Sequence, residues 1–273
     1  MPYTIASDYF QIRESNHSAE LESLLALLEG RASAYHIREM IPRHMCESVS
    51  QSFASLHGSE RADDVPGLHV GAFHYGKQTK EYFAEVATSY PLMSRLTSAG
   101  DPIAIVHDSF AAILAEAGIS YRPANWAGQA AGRFVARSWT GSGAFALAPH
   151  EDAAQLRNPQ QTDFEIQAVA DHTVIGVNLC IRPSTYGGGL LVWDVSPDNQ
   201  DRTALGLEYT GYPYPLTFVD SAKCLTLRAS AGDLYCVNGN LLHAVEQQSG
   251  PNSRLTLSFI CGFIDQRTVV YWT

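Results

Sequence analysis

The stretch Ala148-Pro149-His150-Glu151-Asp152 places an imidazole and a carboxylate two positions apart. At the end of a strand, alternate residues project to the same side, so His150 and Asp152 can face one cavity while Glu151 faces away. A second histidine, His243, lies in a later strand-like segment. Two imidazoles and one carboxylate suit Fe(II) and leave three adjacent coordination positions open. The sequence therefore predicts an iron site at His150, Asp152 and His243.

Short strand-like segments follow one another from about residue 131 onwards, separated by glycine turns as in a sandwich or barrel. They cover 133–140, 145–149, 172–183, 186–194, 224–229, 233–238, 241–247 and 254–264. Upstream, helical patterns cover 18–29, 42–58, 80–99 and 101–118, with a short strand at 34–40 and a loop at 59–68. We predict an α+β fold of one domain, 1–273, in which a mainly helical layer (1–130) supports a β core (131–273).

The composition is that of a globular protein with ample core material, since 45% of the 273 residues are hydrophobic. The net charge of −10, without a Lys/Arg run, argues against a nucleic-acid partner. No window approaches 18 consecutive apolar residues and the N-terminus lacks the pattern of a secretory signal, so we expect no membrane span and a cytoplasmic location. The five cysteines lack CxxC spacing and are expected to be reduced core thiols.

Further motifs follow His150 in a characteristic order. They are Gly187-Gly188-Gly189-Leu190, Ala231-Gly232-Asp233-Leu234, His243, and Arg254 with Thr256 two residues beyond it. In this order they resemble the Fe(II)- and 2-oxoglutarate-dependent dioxygenases over roughly residues 133–264. The resemblance implies a double-stranded β-helix, the cupin-like jelly roll, around the iron site.

A closer resemblance extends to other segments of the chain. Gly71 to Gly76, Lys80-Glu81-Tyr82-Phe83 and Val270-Tyr271-Trp272-Thr273 look like the branch of carrier-independent, welwitindolinone-type halogenases and the N-succinyl amino acid β-hydroxylase. In those halogenases Gly or Ala replaces the carboxylate ligand, which frees a site for chloride. Because Asp152 is present here, hydroxylation is the expected outcome.

The resemblance also implies how the co-substrates bind. 2-Oxoglutarate would chelate the iron through its C1 carboxylate and 2-oxo group, leaving a position for O2. The planar guanidinium of Arg254 suits bidentate pairing with the distal C5 carboxylate. Thr256 lies on the same face of the strand and could add a hydrogen bond. Asn178 is a polar residue in an apolar strand, so it needs a partner, and 2-oxoglutarate is one candidate.

The substrate pocket is less clearly marked. The expected contacts are Phe73, His74, Tyr75, Arg137 and Trp193. By the resemblance, segment 70–75 lines the pocket, although a buried structural segment is the alternative. Arg137 could face the cavity or the surface, and Trp193 could wall the pocket or pack in the core. The excursion 196–222 is long for a plain connection and could act as a lid.

Together these features predict a dioxygenase that hydroxylates an unactivated C–H bond of a small molecule and releases succinate and CO2. The expected substrate is a free or N-modified amino acid or a related natural-product intermediate. The same centre also suits desaturation or cyclisation. A non-catalytic, cupin-type metal- or ligand-binding protein is the alternative from another class. The apolar residues 269–272 could pack on the core or on a partner subunit, so a homodimer stays open.

Overall fold

The computed structural model describes residues 9–56, 59–60, 67–139, 143–250 and 253–273. Its helices are α1 (Leu21–Leu28), α2 (Arg43–Ser55), α3 (Thr79–Leu96), α4 (Pro102–Glu116) and α5 (Asn199–Leu205). Short 3-10 helices lie at Ala154–Arg157, Pro159–Gln161, Glu165–Asp171 and Leu216–Phe218. The N-terminal residues 1–8 and the parts of predicted segments at 57–58, 61–66 and 140 lie outside the described residues. None of the helices in the described ranges has the length and apolar character of a membrane-spanning segment.

The strands alternate with these helices in the first half and dominate the second. They are β1 (Ile12–Asn16), β2 (Ala34–Arg38), β3 (Ser59–Glu60), β4 (Gly67–Val70), β5 (Ser120–Pro123), β6 (Asn125–Trp126), β7 (Gln129–Ala130), β8 (Val135–Trp139), β9 (Phe145–His150), β10 (Ile175–Arg182), β11 (Tyr186–Gly187), β12 (Leu190–Trp193), β13 (Cys224–Leu227), β14 (Leu234–Asn238), β15 (His243–Glu246), β16 (Gln248–Ser249), β17 (Leu255–Asp265) and β18 (Thr268–Trp272).

Two sheets face each other across a cavity. The larger sheet has ten strands in the order β1-β2-β14-β10-β17-β8-β4-β3, with β18 paired to β17 and β5 paired to β18. The smaller sheet has the order β13-β12-β15-β9. Side chains from both sheets line the space between them. This two-sheet arrangement confirms the predicted jelly roll.

The larger sheet separates a helical layer from the cavity. Along β10 and β17, Val177 and Leu257 face the helices and belong to a core cluster that also contains Leu24 of α1, Phe53 of α2 and other helix residues. Their neighbours in sequence, such as Asn178 and Ser258, line the cavity instead. The period-2 alternation of strands thus gives this sheet an apolar outer face and a more polar inner face.

The N-terminal half is less purely helical than predicted. Strands β1 and β2 extend one edge of the larger sheet, and β4 with β3 extends the other. The segment expected to be a loop at 59–68 therefore contributes strand residues at both of its ends. Strand β1, Ile12–Asn16, escapes sequence analysis because it is a polar edge strand that depends on parallel pairing with β2.

The closing residues pack on the core of the chain itself. Strand β18 pairs antiparallel with β17, with Trp272 opposite Ile260. Val269, Val270 and Trp272 are completely buried within the single chain. The expected apolar packing of residues 269–272 is therefore satisfied without a partner subunit.

Candidate metal centre

Three side chains converge at the ends of two strands of the smaller sheet. His150 ends β9, His243 begins β15, and the two residues are paired in the sheet register. Asp152 follows two residues after β9. One potential ligand atom from each of the three residues lies within 4.8 Å of the other two. The geometry brings together the histidine pair and the carboxylate that the sequence predicts.

The backbone fixes the tautomer of both imidazoles. His150 Nδ1 lies 2.8 Å from the carbonyl oxygen of Ala148, and His243 Nδ1 lies 2.9 Å from that of Leu241. A carbonyl oxygen can only accept, so each Nδ1 carries the proton and donates it. In this tautomer Nε2 carries no proton, and this is the form in which an imidazole ligates a metal.

Asp152 is held by its own backbone and by one neighbouring amide. The Asp152 N–H donates to the Gly239 carbonyl oxygen over 2.7 Å, and Gln155 Nε2 donates to Asp152 Oδ1 over 3.2 Å. The other carboxylate oxygen, Oδ2, lies 3.6 Å from His243 Nε2. A metal ion bound by both groups would replace this contact, since each is a typical ligand for Fe(II).

Gly239 is the residue whose lack of a side chain makes room for this carboxylate. A Cβ at Gly239 would lie 2.8 Å from Asp152 Oδ2 and 3.0 Å from Asp152 Cβ. It would also lie 3.1 Å from the Val174 carbonyl oxygen, which is backbone and cannot turn away. The turn before β15 therefore determines where the carboxylate sits.

Gly239→Ala is expected to lower the affinity for Fe(II) or Mn(II) about 10–100-fold, because displacing the support of a ligand has effects of this size. Isothermal titration calorimetry with Mn(II) measures the change. Gly143→Ala is the matched control, since its added Cβ would meet only the Phe145 carbonyl oxygen at 3.7 Å. Equal Mn(II) affinity in both variants would show that Gly239 does not position the ligand.

Arg254 lies buried on the opposite wall of the cavity. Its Nη2 donates a hydrogen bond to the hydroxyl of Tyr235. The guanidinium carbon lies 5.6 Å from the ring centroids of both Trp139 and Tyr235. Its Nη1 is buried without a hydrogen-bond partner among the described residues. Because an unpaired buried donor is costly, this nitrogen is suited to an anionic ligand.

Two hydroxyls of β17 and one amide of β10 form a hydrogen-bonded chain in the strands that follow and adjoin Arg254. Ser258 Oγ lies 2.8 Å from Asn178 Oδ1 and 3.1 Å from Thr256 Oγ1. Ser258 and Asn178 line the cavity, whereas Thr256 is completely buried behind them. Thr256 therefore reaches the cavity through Ser258 in this structure. Ser258, four residues beyond Arg254, could have been found from strand alternation.

Arg137 is a second guanidinium facing the same cavity. It lies on β8 opposite Thr256 of β17. Burial lowers the pKa of Arg137, the charge of Asp152 opposes this shift, and the charge of Arg254 adds to it. The cavity thus contains two cationic groups beside the His-Asp-His cluster. The sequence left open whether Arg137 faces the cavity or the surface. In the structure Arg137 lines the cavity.

Three of the other predicted pocket residues, Phe73, Tyr75 and Trp193, do not line the cavity. Tyr75 is exposed, and Phe73 packs between His69 and the Lys77 ammonium group, which lies 3.7 Å from its ring centroid. Trp193 packs in an apolar cluster with Val195, Leu207, Tyr214 and others. It lies on the opposite face of β12 from Leu190, which lines the cavity, because successive residues of a strand alternate. Trp193 therefore packs in the core, which was the alternative to a place in the pocket wall.

The excursion 196–222 is attached to the segment that carries His150 and Asp152. Glu151 is completely buried, and its Oε1 forms an ion pair with Arg202 Nε at 2.9 Å. The Glu151 N–H donates to the Gly211 carbonyl oxygen over 3.0 Å, and the Tyr214 N–H donates to that of Pro149 over 2.8 Å. The Tyr212 ring lies edge-on to His150, with centroids 6.1 Å apart. This network connects the excursion to the end of β9 and to the residues that follow it.

These features are those of a jelly-roll protein with a candidate site for one metal ion. The comparisons with known proteins narrow the class further. No family model matches the chain. The L-isoleucine 3(1)-dioxygenase of Pantoea ananatis (strain AJ13355) is 33% identical over 248 residues, which cover 88% of this chain and 83% of that protein. Among solved structures, an N-substituted L-amino acid dioxygenase from Burkholderia ambifaria AMMD shares the fold with a TM-score of 0.57 at 14% identity. It matches 93% of this chain and 91% of its own.

A further structure, HygX from Streptomyces hygroscopicus with nickel and 2-oxoglutarate bound, has a TM-score of 0.52 at 11% identity, over 89% of this chain and 87% of its own. The chain belongs to the Fe(II)- and 2-oxoglutarate-dependent dioxygenases. None of these three relatives is a halogenase, so the resemblance to the halogenase branch stays a prediction.

The residues at the centre fit the cofactor and co-substrate of the family. His150, Asp152 and His243 would hold Fe(II), since both Nε2 atoms are unprotonated and the three potential ligand atoms lie within 4.8 Å of one another. Arg254 and Tyr235 would hold the distal carboxylate of 2-oxoglutarate. When bound, iron and 2-oxoglutarate supply the activation of O2, with release of succinate and CO2. The chain itself orients the ligands with side chains from both sheets.

Proposed function

We propose that this enzyme hydroxylates an unactivated C–H bond of a free or N-modified α-amino acid. The observation that carries the proposal is the pair of guanidiniums, Arg254 and Arg137, on the cavity wall opposite the His-Asp-His cluster. 2-Oxoglutarate accounts for one of them through its distal carboxylate. The second is available for the carboxylate of a substrate, which an amino acid provides.

Three observations support this assignment. The curated relative at 33% identity is named for its action on L-isoleucine. Asp152 supplies the carboxylate of the proposed ligand set, and its presence favours hydroxylation over halogenation. The net charge of −10 favours a small-molecule substrate over a nucleic acid. Because strands from both halves of the chain share the larger sheet, we also propose that residues 1–273 act as one catalytic domain.

The test is a turnover screen with Fe(II), ascorbate and 2-oxoglutarate. The panel contains the L-amino acids and their N-acetyl and N-succinyl derivatives, with succinate and product mass as readouts. Substrate-dependent succinate formation with a product heavier by about 16 Da is expected, with L-isoleucine as the first candidate. A loss of about 2 Da would assign desaturation instead. If no amino acid or derivative stimulates succinate formation, the proposal is wrong.

Arg137→Met separates the substrate site from the co-substrate site in the same assay. This variant is expected to raise KM for the amino acid about tenfold or more, because a charge-assisted pair is lost, and to leave KM for 2-oxoglutarate nearly unchanged. Arg95→Ala, an exposed arginine on α3, is the matched control. A change confined to KM for 2-oxoglutarate would assign Arg137 to the co-substrate.

A further inference from the structure

His74 is a buried imidazole that the metal centre does not use. It follows β4, is 2% exposed, and its Nδ1 lies 3.1 Å from Gln161 Oε1. The Gln161 amide nitrogen donates to the carbonyl oxygens of His74 and Lys77, over 2.7 and 3.0 Å. The Gln161 oxygen is therefore the acceptor toward the ring, and His74 Nδ1 carries the proton.

The other ring nitrogen is consequently an acceptor. Burial lowers the pKa of His74 to about 4, with the Gln161 hydrogen bond opposing the shift and the charges of Arg137 and Lys77 adding to it. The ring is therefore neutral near pH 7, and Nε2 presents a bare lone pair. This atom is buried and has no hydrogen-bond partner among the described residues. An unpaired buried acceptor is costly, so a ligand donor at this position would bind favourably.

Two donors lie in the same region. Arg137, whose charge acts on His74, lines the cavity. The Trp272 ring lies edge-to-face with His74 at 6.2 Å between centroids, and its indole N–H is also buried without a partner among the described residues. The His74 backbone N–H donates to the carbonyl oxygen of Thr273, a residue that lines the cavity. An acceptor flanked by donors complements a molecule that carries a donor group and an acceptor group side by side.

We propose that His74 Nε2 accepts a hydrogen bond from the α-ammonium group of the substrate, while Arg137 pairs with the α-carboxylate of the same molecule. This inference rests on the proposed function and narrows it. An ammonium group is a charged donor, and a hydrogen bond to it is stronger than one to a neutral amide. The enzyme should therefore prefer a free α-amino acid to its N-acyl derivative.

The test uses two substitutions, each of which keeps the hydrogen-bonding position of only one of the two imidazole nitrogens. His74→Asn places an amide near the Nδ1 position, so it keeps a donor for Gln161 and removes the acceptor at Nε2. His74→Gln reaches the Nε2 position and keeps an acceptor there. The first probe is the amino acid with the highest turnover in the screen. The second probe is the same molecule without its amino group, which for L-isoleucine is 3-methylpentanoate. Dissociation constants are measured by calorimetry with Mn(II) and 2-oxoglutarate present.

The wild type is expected to bind the amino acid about tenfold or more tighter than the acid, as one charge-assisted hydrogen bond implies. His74→Asn should lose this preference by weakening amino acid binding alone, and His74→Gln should keep most of it. An unchanged preference in His74→Asn would overturn the proposal and leave a bridging water as the partner of Nε2. Equal weakening of both ligands would assign His74 a purely structural role. If the wild type turns over no amino acid, the proposed function itself has failed.

Discussion

Replacing Asp152 by alanine is expected to abolish hydroxylation and to lower the affinity for Fe(II). The loss of affinity should exceed the roughly 10–100-fold effect seen when a residue that only supports a metal ligand is replaced. The variant removes one of three ligands and leaves two imidazoles, which hold Fe(II) less well than the complete triad. The fold should survive, because the Asp152 side chain lies at the cavity and its backbone hydrogen bond to Gly239 is kept. Calorimetry with Mn(II) and the succinate assay measure the two losses.

Asp220→Ala is the matched control for this experiment. Asp220 is an exposed carboxylate in the excursion 196–222 and is distant in sequence from the metal ligands. Its replacement should leave both metal affinity and turnover unchanged. Full metal affinity in Asp152→Ala would remove the carboxylate from the ligand set and with it the reason for expecting hydroxylation.

Replacing Arg254 by methionine is expected to have the second large effect, a loss of affinity for 2-oxoglutarate. The substitution removes the buried guanidinium whose Nη1 has no partner among the described residues. KM for 2-oxoglutarate should rise at least about tenfold, and about 100-fold if both hydrogen bonds of a bidentate pair are lost. The initial rate of succinate formation at varied 2-oxoglutarate concentration measures the change. KM for the amino acid should change little.

Arg254→Lys refines the interpretation. Lysine keeps the positive charge but loses the planar fork, so it should recover only part of the affinity for 2-oxoglutarate. Comparison with Arg137→Met assigns the two cations, since each variant should raise KM for a different ligand. If Arg137→Met raised KM for 2-oxoglutarate while Arg254→Met did not, the roles proposed for the two arginines would be exchanged.

The convergence of His150, Asp152 and His243 and the position of Arg254 at the cavity were predictable because both follow from strand geometry. His150 and Asp152 are separated by one residue at a strand end, and His243 pairs directly with His150 across the sheet. Arg254 precedes β17, whose alternation directs one set of side chains to the cavity. These relations depend on the period of the strand, which a sequence expresses directly.

The rest of the site depends on contacts between residues far apart in the sequence, which no local spacing predicts. Tyr235 contacts Arg254 from a different strand, and Gln161 fixes the His74 ring from 87 residues away. Trp193 could be placed only once β12 had a defined register, which directs it away from the cavity. Likewise, β1 is defined by its parallel pairing with β2, which lies 18 residues or more further along the chain. Long-range pairing therefore decided the features that sequence analysis missed.

The ion pair between Glu151 and Arg202 constrains how this enzyme can diverge. Loss of either partner alone leaves a buried charge uncompensated, at a cost of about 3–5 kcal/mol, whereas replacing both by apolar residues of similar volume is often neutral. Evolutionary paths through a single substitution are therefore narrow at these two positions. In descendants of this sequence, residues 151 and 202 should change together, and the excursion they join to the metal ligands should be inherited as a unit with them.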